Sequence, residues 1–525
     1  MNLRKPGAAL FVSLAFAACS EDAVGPIKAP AVPSMTVLGS SQVRDYIVLT
    51  KGNDKDFPAA VASLGGRVTF FHPATGFATV SGLTASAASQ LSAVAGVTEV
   101  DADFLVGLDE PSATVSADAS NILGTDADPA LVTDADPAPV PGTGDPTAAI
   151  LGSWQWDMRL IRADPAWSHG RLGDPGVTVA IIDTGLDYDN RDLRTLVDLS
   201  RSASFADAWV GDTSSSNPHA DTLTISDAEI TATRFPTRNP IQDYNGHGTN
   251  VGATVSSRAF AFAGVTARTT LIGVKVLGRN GQGNFGQILS GVLFAADQGA
   301  DIANMSLGGA FAKAGNGRLV SLINRVFNYA KQQGMLIVTS AGNESTDLQH
   351  NGNLFASFCD APHVVCVAAV GPTTWTGNPD APAFYTNYGR SVISVAGPGG
   401  NGILSADGSH LLPSDGWPWG APPNRTSTAS AVWSFCTRTR MNIVGKTGVF
   451  GDLVRDAGCA TGGQLVGDIG TSQASPHVSG LAALLVAEFG KKQPQKIKQM
   501  IERTADPINP SLGKGRINVQ RALGL

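Results

Sequence analysis

The chain has no run of basic residues, and its 37 Lys and Arg are outnumbered by 44 Asp and Glu. The resulting formal charge of -7 argues against nucleic acid as a partner. Cysteine is scarce, five in 525 residues, with no CxxC spacing and no accompanying histidine cluster, which argues against a zinc site. The N-terminal apolar run, Ala8 through Ala18, is too short to span a bilayer as a stable helix. Preceded by Arg4 and Lys5, it reads as a secretory signal over residues 1–18. Hydrophobic and charged fractions, 43% and 15%, are ordinary for a globular protein. The length exceeds what one core usually supports, so more than one folded unit is expected.

Gly470-Thr471-Ser472-Gln473-Ala474-Ser475-Pro476-His477-Val478-Ser479-Gly480 sets a serine behind a glycine at the start of a long apolar helix. Unpaired N–H groups and the positive end of the helix dipole favour an oxyanion forming there, although a helix cap would use the same residue types. A base and an orienting acid stand elsewhere. Val179-Ala180-Ile181-Ile182-Asp183-Thr184-Gly185 reads as a buried parallel strand ending on a carboxylate and a glycine turn. Asn245-Gly246-His247-Gly248-Thr249 places a histidine between two glycines, where little bulk would obstruct a substrate. The order Asp183, His247, Ser472 is the subtilisin order of a serine-hydrolase triad.

With Trp154-Gln155-Trp156-Asp157, Asn304-Met305-Ser306-Leu307-Gly308-Gly309, Ser340-Ala341-Gly342-Asn343-Glu344 and Gly513-Lys514-Gly515-Arg516-Ile517-Asn518-Val519, the chain resembles a subtilase across nearly all of residues 153–525. The resemblance implies an α/β fold with a mostly parallel sheet flanked by helices, and a serine endopeptidase acting on polypeptides without a cofactor for its chemistry. It implies that Ser472 attacks, His247 transfers the proton, Asp183 orients the imidazole, and Asn343 donates to the oxyanion. Gly281, Gln282 and Gly283, with Ser306, Leu307, Gly308 and Gly309, resemble the two segments that hold substrate backbone as added strands. Glu344 resembles a rim residue of the main specificity pocket, mildly favouring basic or polar groups. The chain departs from the pattern at Asn250 and Gln473, and in a long insertion, about 404–468, that holds Trp417, Trp419 and Trp433. Structural calcium is a family habit: Asp192 stands at a calcium carboxylate position, but the loop Ser256-Ser257-Arg258-Ala259-Phe260 lacks the insertion that completes that site.

Rival readings exist. Gly281-Gln282-Gly283-Asn284-Phe285-Gly286 also fits a dinucleotide fingerprint, but no acidic residue follows about twenty positions on at a strand end. Asp183-Thr184-Gly185 is the aspartic-protease tripeptide, but in one copy and a βα setting. A catalytically silent binding lipoprotein on the same scaffold, blocked by the insertion, is the remaining alternative.

Residues 19–42 read as an unstructured tether. Residues 43–108 carry strands at 46–49, 68–71, 77–80 and 97–100, with helices near 56–64 and 84–94. This βαββαβ order suggests a small α+β ferredoxin-like unit and resembles the subtilase propeptide, an intramolecular inhibitor and chaperone whose tail, here 103–108, lies in the active-site cleft. Residues 109–152, rich in Asp, Ala and Pro, are expected to be a disordered linker. Ala17-Ala18-Cys19 resembles a bacterial lipoprotein cleavage box, which would make Cys19 a lipidated first residue and Ser20 a permit for passage to the outer membrane. Ordinary signal cleavage is the alternative. The expected location is thus secreted or lipid-anchored at a bacterial surface, with the chain a monomer. The remaining cysteines suggest disulfides, Cys359 to Cys366 and Cys436 to Cys459 being the local pairing.

Overall fold

The computed structural model describes residues 43–52, 55–108, 115–117, 141–206, 227–234, 236–372, 377–401, 431–435 and 465–525. Cys19, Trp417, Trp419, Cys436 and Cys459 lie outside them.

The first unit runs β1 (Val43–Thr50), α1 (Phe57–Ser63), β2 (Arg67–His72), β3 (Phe77–Thr84), α2 (Ala85–Leu91) and β4 (Val97–Ala102). Its antiparallel sheet has the order β2-β3-β1-β4. Strand alternation sends Tyr46, Val48, Ala78 and Val80 to one face, where they pack with Phe57 and Val61 of α1 and Leu91 of α2. The opposite face, with Ile47, Leu49 and Phe77, joins a core that belongs to the larger body. The βαββαβ expectation therefore holds, and the small sheet is sandwiched between its own helices and the rest of the protein.

Two short strands follow, β5 (Leu105–Gly107) and β6 (Val115–Ala117). The body then contributes β7 (Thr178–Asp183), β8 (Ala203–Ser204), α3 (His247–Val255), β9 (Thr270–Lys275), β10 (Gln282–Asn284), α4 (Phe285–Asp297) and β11 (Ile302–Met305). It continues with β12 (Ala310–Ala312), α5 (Gly317–Gln333), β13 (Leu336–Ser340), β14 (Leu354–Ala356), β15 (Val364–Val370), β16 (Val395–Pro398), β17 (Val432–Phe435), β18 (Leu465–Asp468) and α6 (Thr471–Phe489). Seven strands form a parallel sheet in the order β16-β15-β13-β11-β7-β9-β8. Along β7, Val179 and Ile181 face the α3 and α6 side, while Ala180 and Ile182 face the α4 and α5 side. A sheet buried on both faces needs the unbroken β-branched runs seen in the sequence.

Cys359 and Cys366 form a disulfide with Cα atoms 5.1 Å apart, as the local pairing anticipated. The expected linker is not structureless throughout. Residues 115–117 form a strand against β18, and residues 142–151 lie on the body through Gly142 N to Arg191 O, Gly144 N to Arg258 O and Leu151 N to Ala261 O. Residues 125–138, where Thr-Asp-Ala-Asp-Pro-Ala occurs twice, lie outside the described residues, whereas the apolar Pro146 and Leu151 that follow are both buried. Of the insertion, β17 and β18 form an antiparallel pair, with Trp433 buried edge-on against Trp154 at 5.4 Å. No helix among the described residues is long and apolar enough to cross a membrane.

Candidate active site

Parallel strands deliver their carboxyl ends to one rim of the sheet. Asp183 is the last residue of β7 and Ser306 follows the last residue of β11, the neighbouring strand. The side chain of Asp183 is fully buried, and its Oδ1 accepts from His247 Nδ1 at 2.7 Å and from its neighbour Thr184 N at 2.7 Å. A carboxylate at Nδ1 holds the proton on that nitrogen, leaving Nε2 as the basic one.

His247 opens α3, and the turn before it is organised by Asp243, a residue the motif reading missed. Asp243 Oδ1 accepts from Asn245 N and Gly246 N, both at 2.9 Å, and from Thr184 Oγ1 at 3.0 Å. Its Oδ2 takes Thr249 N and Oγ1 at 3.0 and 2.6 Å. This one buried carboxylate therefore ties the start of the histidine helix to the residue after Asp183. Gly248 also has a different reason from open access. A Cβ there would lie 2.2 Å from Gly185 O, so its missing side chain admits the turn after Asp183.

Ser472 is the second residue of α6, behind Gly470, which offers no side-chain cap. Its N–H belongs to the first turn, where amides have no intrahelical acceptor. Its Oγ donates to Ser306 O at 3.3 Å. Pro476 cannot donate to the Ser472 carbonyl four residues back, and two hydroxyls take over: Ser306 Oγ at 2.7 Å and Ser475 Oγ at 3.3 Å. Ser306 thus pins the serine turn. Asn343 is oriented by the same turn. Thr471 N and Thr471 Oγ1 both donate to Asn343 Oδ1 at 2.9 Å, and since a backbone N–H can only donate, the amide nitrogen Nδ2 points the other way. Glu344 next to it is exposed and accepts from Asn387 Nδ2.

The glycine segments meet the N-terminal unit. β5 pairs antiparallel with β10, Gly107 opposite Gln282 and Val106 opposite Gly283, and Leu108 N donates to Gly281 O at 2.9 Å. Gly309 faces Val106 from the other side, where a Cβ would sit 3.3 Å from a Val106 methyl. Leu307 points into the core, and a Cβ on Gly308 would sit 2.7 Å from Ser357 Oγ, so within that second segment the tail contact rests on Gly309. The N-terminus of α4, where a nucleotide reading would need a pyrophosphate, is capped by protein. Asp103 accepts from Gly286 N at 3.0 Å and Asn284 Nδ2 donates to Asp45 Oδ2 at 2.7 Å.

Asp192 does not fit a calcium role. Its Oδ1 accepts from Phe260 N and Ala261 N at 2.6 and 3.1 Å and its Oδ2 from Phe262 N at 3.2 Å, so backbone donors use both oxygens. Among the described residues no group of three His, Cys, Asp or Glu could hold a metal ion. Burial pushes this carboxyl up to about 6, against the pull of those N–H groups. A second network unseen in the sequence lies behind the site. Asp227 pairs with the fully buried Lys275 at 2.9 Å and with Arg279 at 2.6 Å. Burial would raise the Asp227 carboxyl, but the two cations hold it below the usual carboxylate range.

Comparison with known proteins agrees with this geometry. Thermitase of Thermoactinomyces vulgaris is 25% identical over 384 residues, 72% of this chain and 99% of thermitase. Subtilisin DY of Bacillus licheniformis is 26% identical over 371 residues, 70% and 97% of the two chains. Among solved structures, the epidermin leader peptide processing serine protease of Staphylococcus aureus superposes with a TM-score of 0.63 at 18% identity, over 92% of this chain and 98% of that one. At that identity the likeness speaks for the fold alone. The model of the subtilase family matches residues 174–524, from just before the strand of Asp183 to the C-terminus and across His247, Asn343 and Ser472, and the chain belongs to that family of serine endopeptidases.

Proposed function

We propose that the chain is an exported, self-processing peptidase in which Ser472 is the nucleophile, His247 the proton carrier and Asp183 its orienting carboxylate. The observation that carries this is the Asp183 to His247 hydrogen bond at one rim with the α6 serine turn, while the chain's own β5 lies on β10 as a substrate would. Ser472 Oγ gives up the Ser306 carbonyl for His247, passes its proton to Nε2 and attacks the peptide carbonyl. The developing oxyanion takes hydrogen bonds from the Ser472 N–H and Asn343 Nδ2. The imidazolium, stabilised by Asp183, then protonates the leaving amine, and water repeats the sequence to release the acyl group.

Residues 43–108 act as the propeptide in this reading, because β5 and Leu108 hold the glycine strand that an incoming substrate needs. The signal run and Cys19 support export with a lipid anchor. Expression of the full chain beside Ser472→Ala tests the reading by intact mass. The parent is expected to lose its N-terminal unit and the variant to keep it; equal processing of both would overturn self-cleavage. Metabolic labelling with a fatty-acid analogue, lost in Cys19→Ala, tests the anchor.

A further inference from the structure

We propose that the seam between the N-terminal unit and the body carries a binding site for a free oxyanion of the phosphate or sulfate class, which bridges the two and holds the N-terminal unit in place. The site stands on its own lining; that this hold delays activation rests on the peptidase reading above.

An open cavity of about 570 Å³ lies where the end of β1 and the turn after β2 meet α5. Both sides line it, Lys51 and Thr75 from the N-terminal unit and Arg325, Asn328, Tyr329 and Gln332 from α5. The chain is acidic, with a formal charge of -7, yet this cavity is lined by two cations and, among the described residues, by no carboxylate. Neither Lys51 nor Arg325 makes an ion pair among the described residues. Like charges brought to one cleft from opposite sides of a seam repel, and the cleft concentrates their field. An anion between them turns that repulsion into a bridge.

The donors are set before anything binds. Arg325, Asn328 and Gln332 recur at i, i+3 and i+7, so they share one stripe of α5. Arg325 Nη1 donates across the seam to Thr75 O at 3.0 Å, which fixes the guanidinium and leaves its other N–H groups for a two-point grip on an oxyanion. Asn328 Oδ1 accepts from His363 Nε2 at 2.9 Å, so the amide nitrogen is the end left to donate into the cavity. The carboxylate that could compete is engaged: Asp297 accepts from Tyr329 Oη at 2.6 Å and lies 3.2 Å from His72 Nε2. A planar guanidinium fork matches a tetrahedral oxyanion better than chloride, so the site selects by oxygen geometry as well as by charge.

The first test uses the full chain with Ser472→Ala, which keeps both sides of the seam together. Inorganic phosphate is the probe, followed by its 31P line width in chloride of matched ionic strength. The expected result is saturable broadening with a Kd of about 1 mM, reversed by sulfate. Binding should weaken about tenfold or more in Lys51→Ala and in Arg325→Ala, and stay unchanged in Lys514→Ala, an exposed lysine outside the cavity. No broadening, or equal broadening in all variants, overturns the site. Co-sedimentation with phosphatidylglycerol vesicles that Arg325→Ala abolishes, with no broadening of phosphate, would assign the group to a lipid headgroup and overturn the free anion. The second test follows release of the cleaved N-terminal unit from the parent chain by size exclusion. With phosphate at about ten times its Kd, release should be about tenfold slower than in chloride, and equally fast in both media for Arg325→Ala. Equal rates in the parent, with phosphate bound, overturn the bridging role. Absence of cleavage in either medium, with phosphate bound, overturns the peptidase reading and the delay with it, and leaves the anion site standing.

Discussion

The hold of the N-terminal unit on the body should weaken as pH rises, and two carboxylates set the window. Asp103 caps the N-terminus of α4 through Gly286 N, and burial pushes its carboxyl up to about 7 against the hydrogen bonds from Gly286 and Phe104. Asp45 is pushed up to about 6 by burial, opposed by Asn284 and Arg67; its Oδ1 is enclosed with no hydrogen-bond partner among the described residues. Separated from the body, both return toward an ordinary carboxylate near 4. Each therefore favours the protonated form in the complex. Its contribution to binding is fully present below about pH 4 and is lost as pH rises through the bound-state value. Between about pH 4 and 6 both groups take up a proton on binding, and the inhibition constant should rise by up to about a hundredfold per pH unit; between 6 and 7 Asp103 alone gives at most about tenfold per unit. Solvent entering the interface would reduce both slopes. The assay is inhibition of the processed enzyme by the released 43–108 fragment from pH 5 to 8. His72 Nε2 also crosses this interface, 3.2 Å from Asp297 Oδ2, so the comparison is made in a His72→Gln background. Asp103→Asn should remove about one proton from the slope. A constant that is flat over this range, or that tightens with rising pH, would refute the reasoning.

Three further outcomes follow from the site and its supports. Asn343→Ala should lower kcat by about 10²–10³-fold with KM little changed, a magnitude carried over from a subtilisin oxyanion donor; an unchanged kcat removes Asn343 from the oxyanion role. Asp227→Asn strands the buried Lys275 and Arg279 and should cost about 3–5 kcal/mol in denaturant unfolding. Adding Lys275→Met should recover part of that loss, and simple additivity of the two would contradict the pairing. Asp192→Ala releases three backbone donors of the loop at 260–262 and should lower the melting temperature by several degrees. A chelator should shift parent and variant equally; a chelator-induced drop seen only in the parent would mean that Asp192 does bind a cation.

What the sequence revealed and what it hid divide along physical lines. The strand ending on Asp183 was expected over 179–183 and spans Thr178–Asp183, because a parallel strand buried on both faces writes itself as an unbroken apolar run. The helix Phe285–Asp297 is legible for the analogous reason, since its apolar run reports a helix packed into the core. Asp243 and Ser306 carry no such period. Asp243 acts through Asx-type bonds to Asn245 and Gly246 and a contact with Thr184, which is 59 positions away; Ser306 reaches Ser475 across 169. Pro476 was a visible signal: a proline four residues past a helix-opening serine leaves that serine's carbonyl short of a donor, so a hydroxyl from elsewhere had to arrive. The strand at 115–117 was the hardest to see. Val115-Ser116-Ala117 is too short to show alternation, and its pairing depends on an edge 350 residues further on, supplied by an insertion whose own register comes from Trp433 packing on Gly467. Main-chain pairing of that kind is indifferent to side chains.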